Sequence, residues 1–355
     1  MKENKLKETF DQFDHSSQFE SYKELVSGHI NDTYLIKTVE KPFYVLQRID
    51  HNVFKNVPGL ISNKVTISTH LLEKFKDTPE EERFRKVLTF AKAKTGNYFF
   101  NDDTGSFWNL MIYIDNSLTF DTVTNEEVAY EGGKLSGEFL NLTSDFDANK
   151  LVEVIPDFHS MSFRYLQFNS ARQSASKERL FKVKKYIESI DSLKDEMHIL
   201  ENLKESGEIP TRVTHNDTKI SNALFTQDNK GLCVIDTDTV MPGIIHYDFG
   251  DAIRTICNTA AEDEKNLDLV EFNFDFYNAY KKGFLKKMSS SLSETELKYL
   301  PLGAKTMIFI MALRFLTDYL NNDVYYKTKY PEHNLDRAKN QFKLIESFSK
   351  KIANN

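Results

Sequence analysis

Thr214-His215-Asn216-Asp217-Thr218-Lys219-Ile220-Ser221-Asn222 is the stretch on which the fold of this chain turns. Its fixed points are His-x-Asp followed, four residues further on, by Asn. At that spacing the carboxylate can take the proton of an attacking hydroxyl and the amide can hold a divalent cation. Ala223-Leu224-Phe225 follows as a short apolar run, and Thr226-Gln227-Asp228-Asn229-Lys230-Gly231 is a turn by composition. Leu232-Cys233-Val234-Ile235 is a second apolar run, ending at Asp236. The pattern predicts a β-hairpin. With its turn centred near Asn229, Asn222 faces Asp236, and directly opposed residues have Cβ atoms about 4.5–5.5 Å apart. An amide and a carboxylate at the mouth of a hairpin are suitable oxygen ligands for Mg²⁺. Asp217 judged alone caps a surface turn. The whole constellation points to phosphoryl transfer.

Asp248-Phe249-Gly250 spells the tripeptide that binds metal in protein kinases. It lies behind Met241-Pro242-Gly243 and opens an expected helix from Asp251. Because the hairpin argument gives the metal to Asp236, Asp248 and Asp251 are expected to cap that helix, with Asp248 bracing the catalytic loop from behind.

The 355 residues suffice for one large domain or two lobes, and a hydrophobic fraction of 40% with 28 Phe is a globular composition. A formal net charge of −7 argues against a nucleic-acid or anionic-membrane partner as the main function, since both need a basic surface. Cys233 and Cys257 lie in apolar segments and read as buried thiols, not a disulfide framework. No Cys/His spacing suggests zinc. The charged N-terminus is unlike a signal peptide, and the longest apolar run, Met307 to Leu313, is too short to span a bilayer. The expectation is a soluble cytoplasmic protein, a monomer or weak homo-oligomer.

Along the chain, residues 1–20 suggest a short amphipathic helix with Leu6, Phe10 and Phe13 on one side. Strands are expected over Tyr22 to Ser27, Thr33 to Thr38 and Phe43 to Ile49. A helix opened by Pro58 follows, running from Leu60 to Phe75. Further strands fall at Lys86 to Ala91, Tyr98 to Phe100 and Phe107 to Ile114, the last two joined by the turn Asn101 to Gly105. Beyond residue 118 helical segments dominate: 125–143, 147–160, 174–205, 251–261, 269–287, 293–321 and 335–352. The catalytic hairpin is the only clear β element among them. The expected fold class is α+β and bilobal. A small β-rich N-terminal lobe, residues 1–118, binds nucleotide, and a mainly helical C-terminal lobe, 119–355, carries catalysis and the acceptor.

The catalytic segment resembles the aminoglycoside phosphotransferase and choline kinase superfamily of small-molecule kinases, which share the kinase architecture. Further segments carry the likeness across nearly the whole chain. Gly28-His29-Ile30-Asn31-Asp32-Thr33-Tyr34, Tyr44-Val45-Leu46-Gln47, Ile235 to Gly243, Asp248 to Asp251, Arg314 to Leu320 and Lys329 to Asn334 are similar, in order, to the N-acetylhexosamine 1-kinase family within it. That resemblance implies ATP- and Mg²⁺-dependent phosphorylation of the anomeric hydroxyl of GlcNAc or GalNAc. It makes Asp217 the base and Asn222 and Asp236 the metal ligands, and it lines the sugar site with His29, Arg314 and Tyr325. It also implies nucleotide contacts at Gly28, Gln47, Lys219 and the hinge Met111-Ile112-Tyr113.

The chain departs from the wider kinase pattern in two places. Gly28 is the one glycine of its Gly-rich loop, and Gln47 stands where a strand lysine usually grips the α/β-phosphates. Lys219 and Mg²⁺ are expected to carry more of the phosphate charge. Read without the resemblance, His29 is a polar turn residue, Arg314 a helix-face arginine bridged to Asp318, and Tyr325 and Trp108 packing residues. The competing functions are a kinase for another small alcohol (another sugar, an aminoglycoside, choline or homoserine) and a nucleotide-binding pseudokinase. Cationic acceptors call for acidic or aromatic pockets, which Arg314 disfavours.

Overall fold

The computed structural model describes residues 2–25 and 30–354. Helix α1, Lys2–Phe10, ends much earlier than the expected span. The His15 ring stacks on Phe10 and its Nε2 bonds the Phe10 carbonyl at 2.9 Å, closing the helix so that the first strand can begin at Phe19. Strands β1 (Phe19–Leu25), β2 (Asp32–Thr38), β3 (Tyr44–Ile49), β4 (Phe90–Ala91), β5 (Phe100–Asn101) and β6 (Phe107–Ile112) form one antiparallel sheet. Its order is β1-β2-β3-β6-β4, with β5 also pairing β6. Alternation sorts the faces. Tyr34, Ile36, Leu46, Trp108 and Leu110 bury against Leu6, Phe10 and Phe13. Thr33, Gln47 and Asn109, aligned across β2-β3-β6, lie on the opposite face.

Helix α2, Val57–Lys74, starts where the Asn56 side chain accepts the Gly59 N–H at 3.0 Å, with Pro58 in its first turn. The strand expected from Lys86 shrinks to Phe90–Ala91, because Pro79 and three glutamates open a helix there, α3, Glu80–Lys86. Acidic residues in a first turn favour a helix N-terminus.

Past residue 118 helices dominate as expected: α4 (Glu126–Leu142), α5 (Met161–Ser174), α6 (Lys177–Met197), α7 (Ile199–Glu205), α8 (Ile245–Ile256), α9 (Phe274–Met288), α10 (Glu294–Leu320) and α11 (His333–Ala353). The 147–160 segment is not a helix. Asp147 caps only a short 3-10 turn, and the chain then runs irregularly to Ser160, which caps α5. Four short strands interrupt the helices. β8 (Ala223–Phe225) and β9 (Gly231–Val234) are the expected hairpin, while β7 (Arg212–Thr214) and β10 (Met241–Gly243) pair unexpectedly around it. α10 is long and apolar enough to cross a membrane by composition, but it forms the centre of the main core, with Met307 to Leu313 all buried except Met311.

Two contacts seat the catalytic loop. The Arg212 guanidinium at the start of β7 grips Glu296 of α10 with both carboxylate oxygens, at 2.7 and 2.9 Å. α8 lies against α10 at Gly250 and Gly303, where a Cβ on Gly250 would collide with the Gly303 carbonyl. Gly250 is therefore a helix-packing glycine, and the Asp248-Phe249-Gly250 tripeptide is rigid helix instead of mobile loop.

Candidate active site

The loop between β7 and β8 is held from below by two aspartates of α8. Asp248 accepts the backbone N–H groups of His215 and Asn216, both at 2.7 Å, and Asp251 accepts that of Thr218 at 3.1 Å. Asp248 thus braces the loop and caps no helix. α8 begins six residues ahead of the expected start, and its cap position, Ile244, has no side-chain bond. Burial pushes Asp248 up to about 6 in spite of those two donors, and raises Asp251 against the opposing pull of Arg254.

Asn216 takes a left-handed turn (φ 65°), which swings Asp217 out of the loop. The His215 Nδ1 accepts the Asp217 N–H at 3.3 Å, so its Nε2 carries the proton and donates to the Ile235 carbonyl at 2.9 Å. One Asp217 oxygen, Oδ2, accepts from Lys219 Nζ at 3.0 Å and from Asn222 Nδ2 at 2.9 Å. Oδ1 is left to face a proton donor, which is the geometry a general base needs.

The hairpin register differs by one from the expected pairing. Ala223 opposes Val234, Leu224 opposes Cys233, and a bulge then brings Phe225 opposite Gly231. Asn222 therefore meets Ile235, whose N–H it accepts at 2.9 Å, and not Asp236. Asp236 stands one residue beyond, in a left-handed conformation (φ 58°, ψ 51°) that turns it out of the strand. Burial, then Asp238 and Asp217, push its carboxyl up to about 7, against the pull of Lys219 and Lys64. Reciprocally, Asp217 and Asp236 outweigh the burial of Lys219 and hold its ammonium charged. Asp217 lies near enough to Asp236 to push its carboxyl up, so these two carboxylates offer a place for a divalent cation, while Asp238 is spent on Lys64 and Asn31. With its amide nitrogen spent on Asp217, Asn222 has its oxygen to give. Among the described residues no group of three or more His, Cys, Asp or Glu forms a metal cage. That is the situation of a cation held by one or two carboxylates and substrate phosphates.

Arg314 of α10, expected at the acceptor, stands 5.6 Å from the Phe158 ring, 5.9 Å from Tyr325 and 5.6 Å from Tyr326. It pairs with no described carboxylate. Asp318, its expected partner, instead accepts the N–H groups of Val324, Tyr325 and Tyr326 at 3.0, 2.8 and 2.9 Å, pinning that loop over the arginine. Two neighbours were not foreseen. Arg164 of α5 is pulled down to about 10 by burial and by Arg314, and its Nη2 donates to the carbonyl of Phe158, whose ring lies 5.6 Å from Arg314. His159 is buried with neither ring nitrogen bonded, and burial, Arg314 and Arg164 drive it down to about 3, so it is neutral at pH 7. Asp217 also bears on His159, which ties this cluster to the base. The sequence offered only Ser160 as a local signal, a helix cap just after His159.

The remaining residues divide as follows. Gly28 and His29 lie outside the described residues. Gln47 is buried on the cleft face of β3. At the presumed hinge, Met111 is buried in β6, while the Ile112 and Tyr113 N–H groups already donate to Thr89 and Phe43 at 2.9 Å each. The backbone donors of Ile112 and Tyr113 are therefore already engaged within the sheet.

Comparison with known proteins agrees with this geometry. The family model described as the phosphotransferase enzyme family (APH) matches residues 21–280. The fold is similar to that of amicoumacin kinase hAmiN, solved with AMP-PNP, Ca²⁺ and Ami (TM-score 0.63, 12% identity, 99% of this chain and 97% of that chain). It is similar also to a microcompartment-associated aminopropanol kinase (TM-score 0.59, 12% identity, 99% and 98%) and to choline kinase from Cryptosporidium parvum Iowa II (TM-score 0.55, 13% identity, 99% and 95%). At such identities the structural likeness is one of fold. The family match spans more than half the chain, and the chain belongs to the phosphotransferase enzyme family, whose members are small-molecule kinases.

Proposed function

Taking that membership as the premise, we propose that the chain transfers the γ-phosphoryl group of ATP to the anomeric hydroxyl of an N-acetylhexosamine, GlcNAc or GalNAc, giving the 1-phosphate. Asp217 Oδ1 takes the acceptor proton while Lys219 and Asn222 hold the carboxylate in place. Asn222 and Asp236 would hold Mg²⁺, which would supply positive charge to neutralise the transferring phosphoryl group.

The observation that carries the choice of acceptor is the pair of guanidiniums, Arg314 and Arg164, beside a neutral His159 and three aromatic rings. Such a pocket repels the ammonium groups of aminoglycosides and choline. It offers rigid donor forks to ring hydroxyls and an acetamide carbonyl. The anomeric position rests on the sequence resemblance. The same arginines favour, as a second reading, an alcohol carrying a carboxylate or phosphate. Retention of Asp217, Asn222 and Asp236 weighs against a pseudokinase.

An acceptor panel at equal concentration tests this, with ATP consumption followed for GlcNAc, GalNAc, glucose, choline, an aminoglycoside and a hydroxy acid. The N-acetylhexosamines should lead, and a ³¹P–¹H correlation spectrum of the product should show coupling to H1. Coupling to the H6 protons, or a preference for choline or the aminoglycoside, would defeat the assignment.

A further inference from the structure

Strand β3 carries no lysine at the cleft; Gln47 stands there instead. The ammonium beside it comes from α2. Lys64 Nζ donates to Gln47 Oε1 at 3.1 Å and forms a buried ion pair with Asp238. Lys64 is 2% exposed and Asp238 3%. The second Asp238 oxygen accepts from the Asn31 amide, whose own Oδ1 accepts the Asp50 N–H at 2.8 Å. Asp238 is therefore gripped by two residues from the sheet side of the molecule. Burying an ammonium is costly even when it is paired, and a hydrophobic residue of similar size often serves stability as well or better. That makes a role beyond packing worth seeking.

Two further observations set this ammonium beside the Asp236 carboxylate and an unsatisfied amide. Asp238, the ion-pair partner of Lys64, lies two residues beyond Asp236, in the 3-10 turn Thr237–Thr239. A cation held at Asp236 would draw nucleotide phosphates to this side of the cleft. Directly across the β3–β6 pair from Gln47 stands Asn109, wholly buried, with neither its amide nitrogen nor its oxygen bonded. A buried amide without a partner calls for a ligand or water. Lys64, Gln47 and Asn109 thus gather donors on one face of the cleft beside the metal carboxylate.

We propose that Lys64, delivered by helix α2, grips the α/β-phosphates of the nucleotide in place of a strand lysine, with Gln47 and Asp238 holding its ammonium at the cleft. This rests on the kinase reading of the site. The plain competitor is that Lys64 serves only to neutralise Asp238.

Calorimetric binding of ADP and of adenosine to the full chain, with Mg²⁺ present, separates the two. Lys64→Met alone strands the Asp238 carboxylate, so the paired variant Lys64→Met/Asp238→Asn carries the test, its fold checked by circular dichroism. ADP should bind about 10–150-fold more weakly than to the wild type, the worth of a hydrogen bond to a charged group, while adenosine binding is unchanged. Adding Gln47→Lys returns the charge to the strand and should restore ADP affinity. If the paired variant does not fold, Lys64→Gln, which keeps a donor for Asp238, reads the same outcomes. A folded variant that binds ADP as tightly as the wild type overturns the proposal and leaves the kinase reading standing. A wild type that binds neither ADP nor ATP overturns both.

Discussion

Asp236→Asn should stabilise the metal-free protein while abolishing its use of Mg²⁺. The carboxyl is pushed from 3.8 up to about 7 by burial and by Asp238 and Asp217. A rise of that size corresponds to on the order of 4 kcal/mol against the ionised form. Local rearrangement of Lys219 and Lys64 and entry of water will return part of it, so about 1–4 kcal/mol is expected, read as a rise in Tm of a few degrees. The sign follows from linkage. A folded-state pKa above the unfolded value gives stability that is fully present below 3.8 and lost as pH rises through about 7. Asp248, pushed up to about 6, adds to the same trend in both proteins. The wild type should therefore melt lower at pH 8 than at pH 5.5 in the absence of metal, and Mg²⁺ should recover much of the difference at pH 8. Asp236→Asn should melt higher than the wild type at pH 8, by a clearly smaller margin at pH 5.5, and gain nothing from Mg²⁺. Thermal melts of both proteins, with and without Mg²⁺ at the two pH values, make the comparison. A variant that melts lower than the wild type at pH 8, or that Mg²⁺ still stabilises, refutes the assignment of Asp236 to the metal.

Asp248→Ala should behave in the opposite way. It leaves the His215 and Asn216 N–H groups buried without acceptors, at about 1–3 kcal/mol each, so chemical denaturation should show a clear loss of stability while Mg²⁺-dependent nucleotide binding persists. If that binding vanishes, Asp248 and not Asp236 holds the metal. Arg314→Ala should lower kcat/KM for the N-acetylhexosamine by about 10–150-fold, since a hydrogen bond to a charged group is worth about 1.5–3 kcal/mol. The Kd for ATP should hardly move, and an equal loss in both would place Arg314 outside the acceptor pocket.

What could be read from the chain divides by whether the residues are contiguous. The 214–222 loop lies in one segment, so the juxtaposition of Asp217 and Asn222 was legible from spacing, as were the strands of the N-terminal sheet from their alternation. The hairpin was legible but its register was not. Thr226 closes the turn on Lys230, one position earlier than expected, and a bulge at Phe225 takes back part of the shift, so the pairing ends one out of register and Asp236 is left to be aimed by a left-handed backbone that no composition announces. Asp248 could be suspected as a brace. Its position inside α8 depends on the Gly250–Gly303 contact with a helix some fifty residues away in sequence. Lys64, His159 and Arg164 were missed because each looks ordinary in its own segment. Lys64 is one more lysine on an amphipathic helix until Gln47 and Asp238 are brought to it. His159 acquires meaning only between Arg314, Arg164 and the Asp217 loop. The sequence resemblance reached Arg314 and Tyr325 where local reading gave a salt bridge and a packing residue. The structure removes the expected salt bridge by giving Asp318 to the 324–326 backbone.

The account stands most directly on Asp217 as the base. With Oδ2 committed to Lys219 and Asn222, an Asp217→Asn side chain keeps its oxygen toward those donors and turns its NH₂ toward the acceptor hydroxyl, where it can accept no proton. Single-turnover phosphorylation of GlcNAc or GalNAc, measured alongside ATP binding to the same protein, should show kcat lower by about 10²–10⁴ with the ATP Kd unchanged. Turnover within a few-fold of the wild type would contradict the assignment.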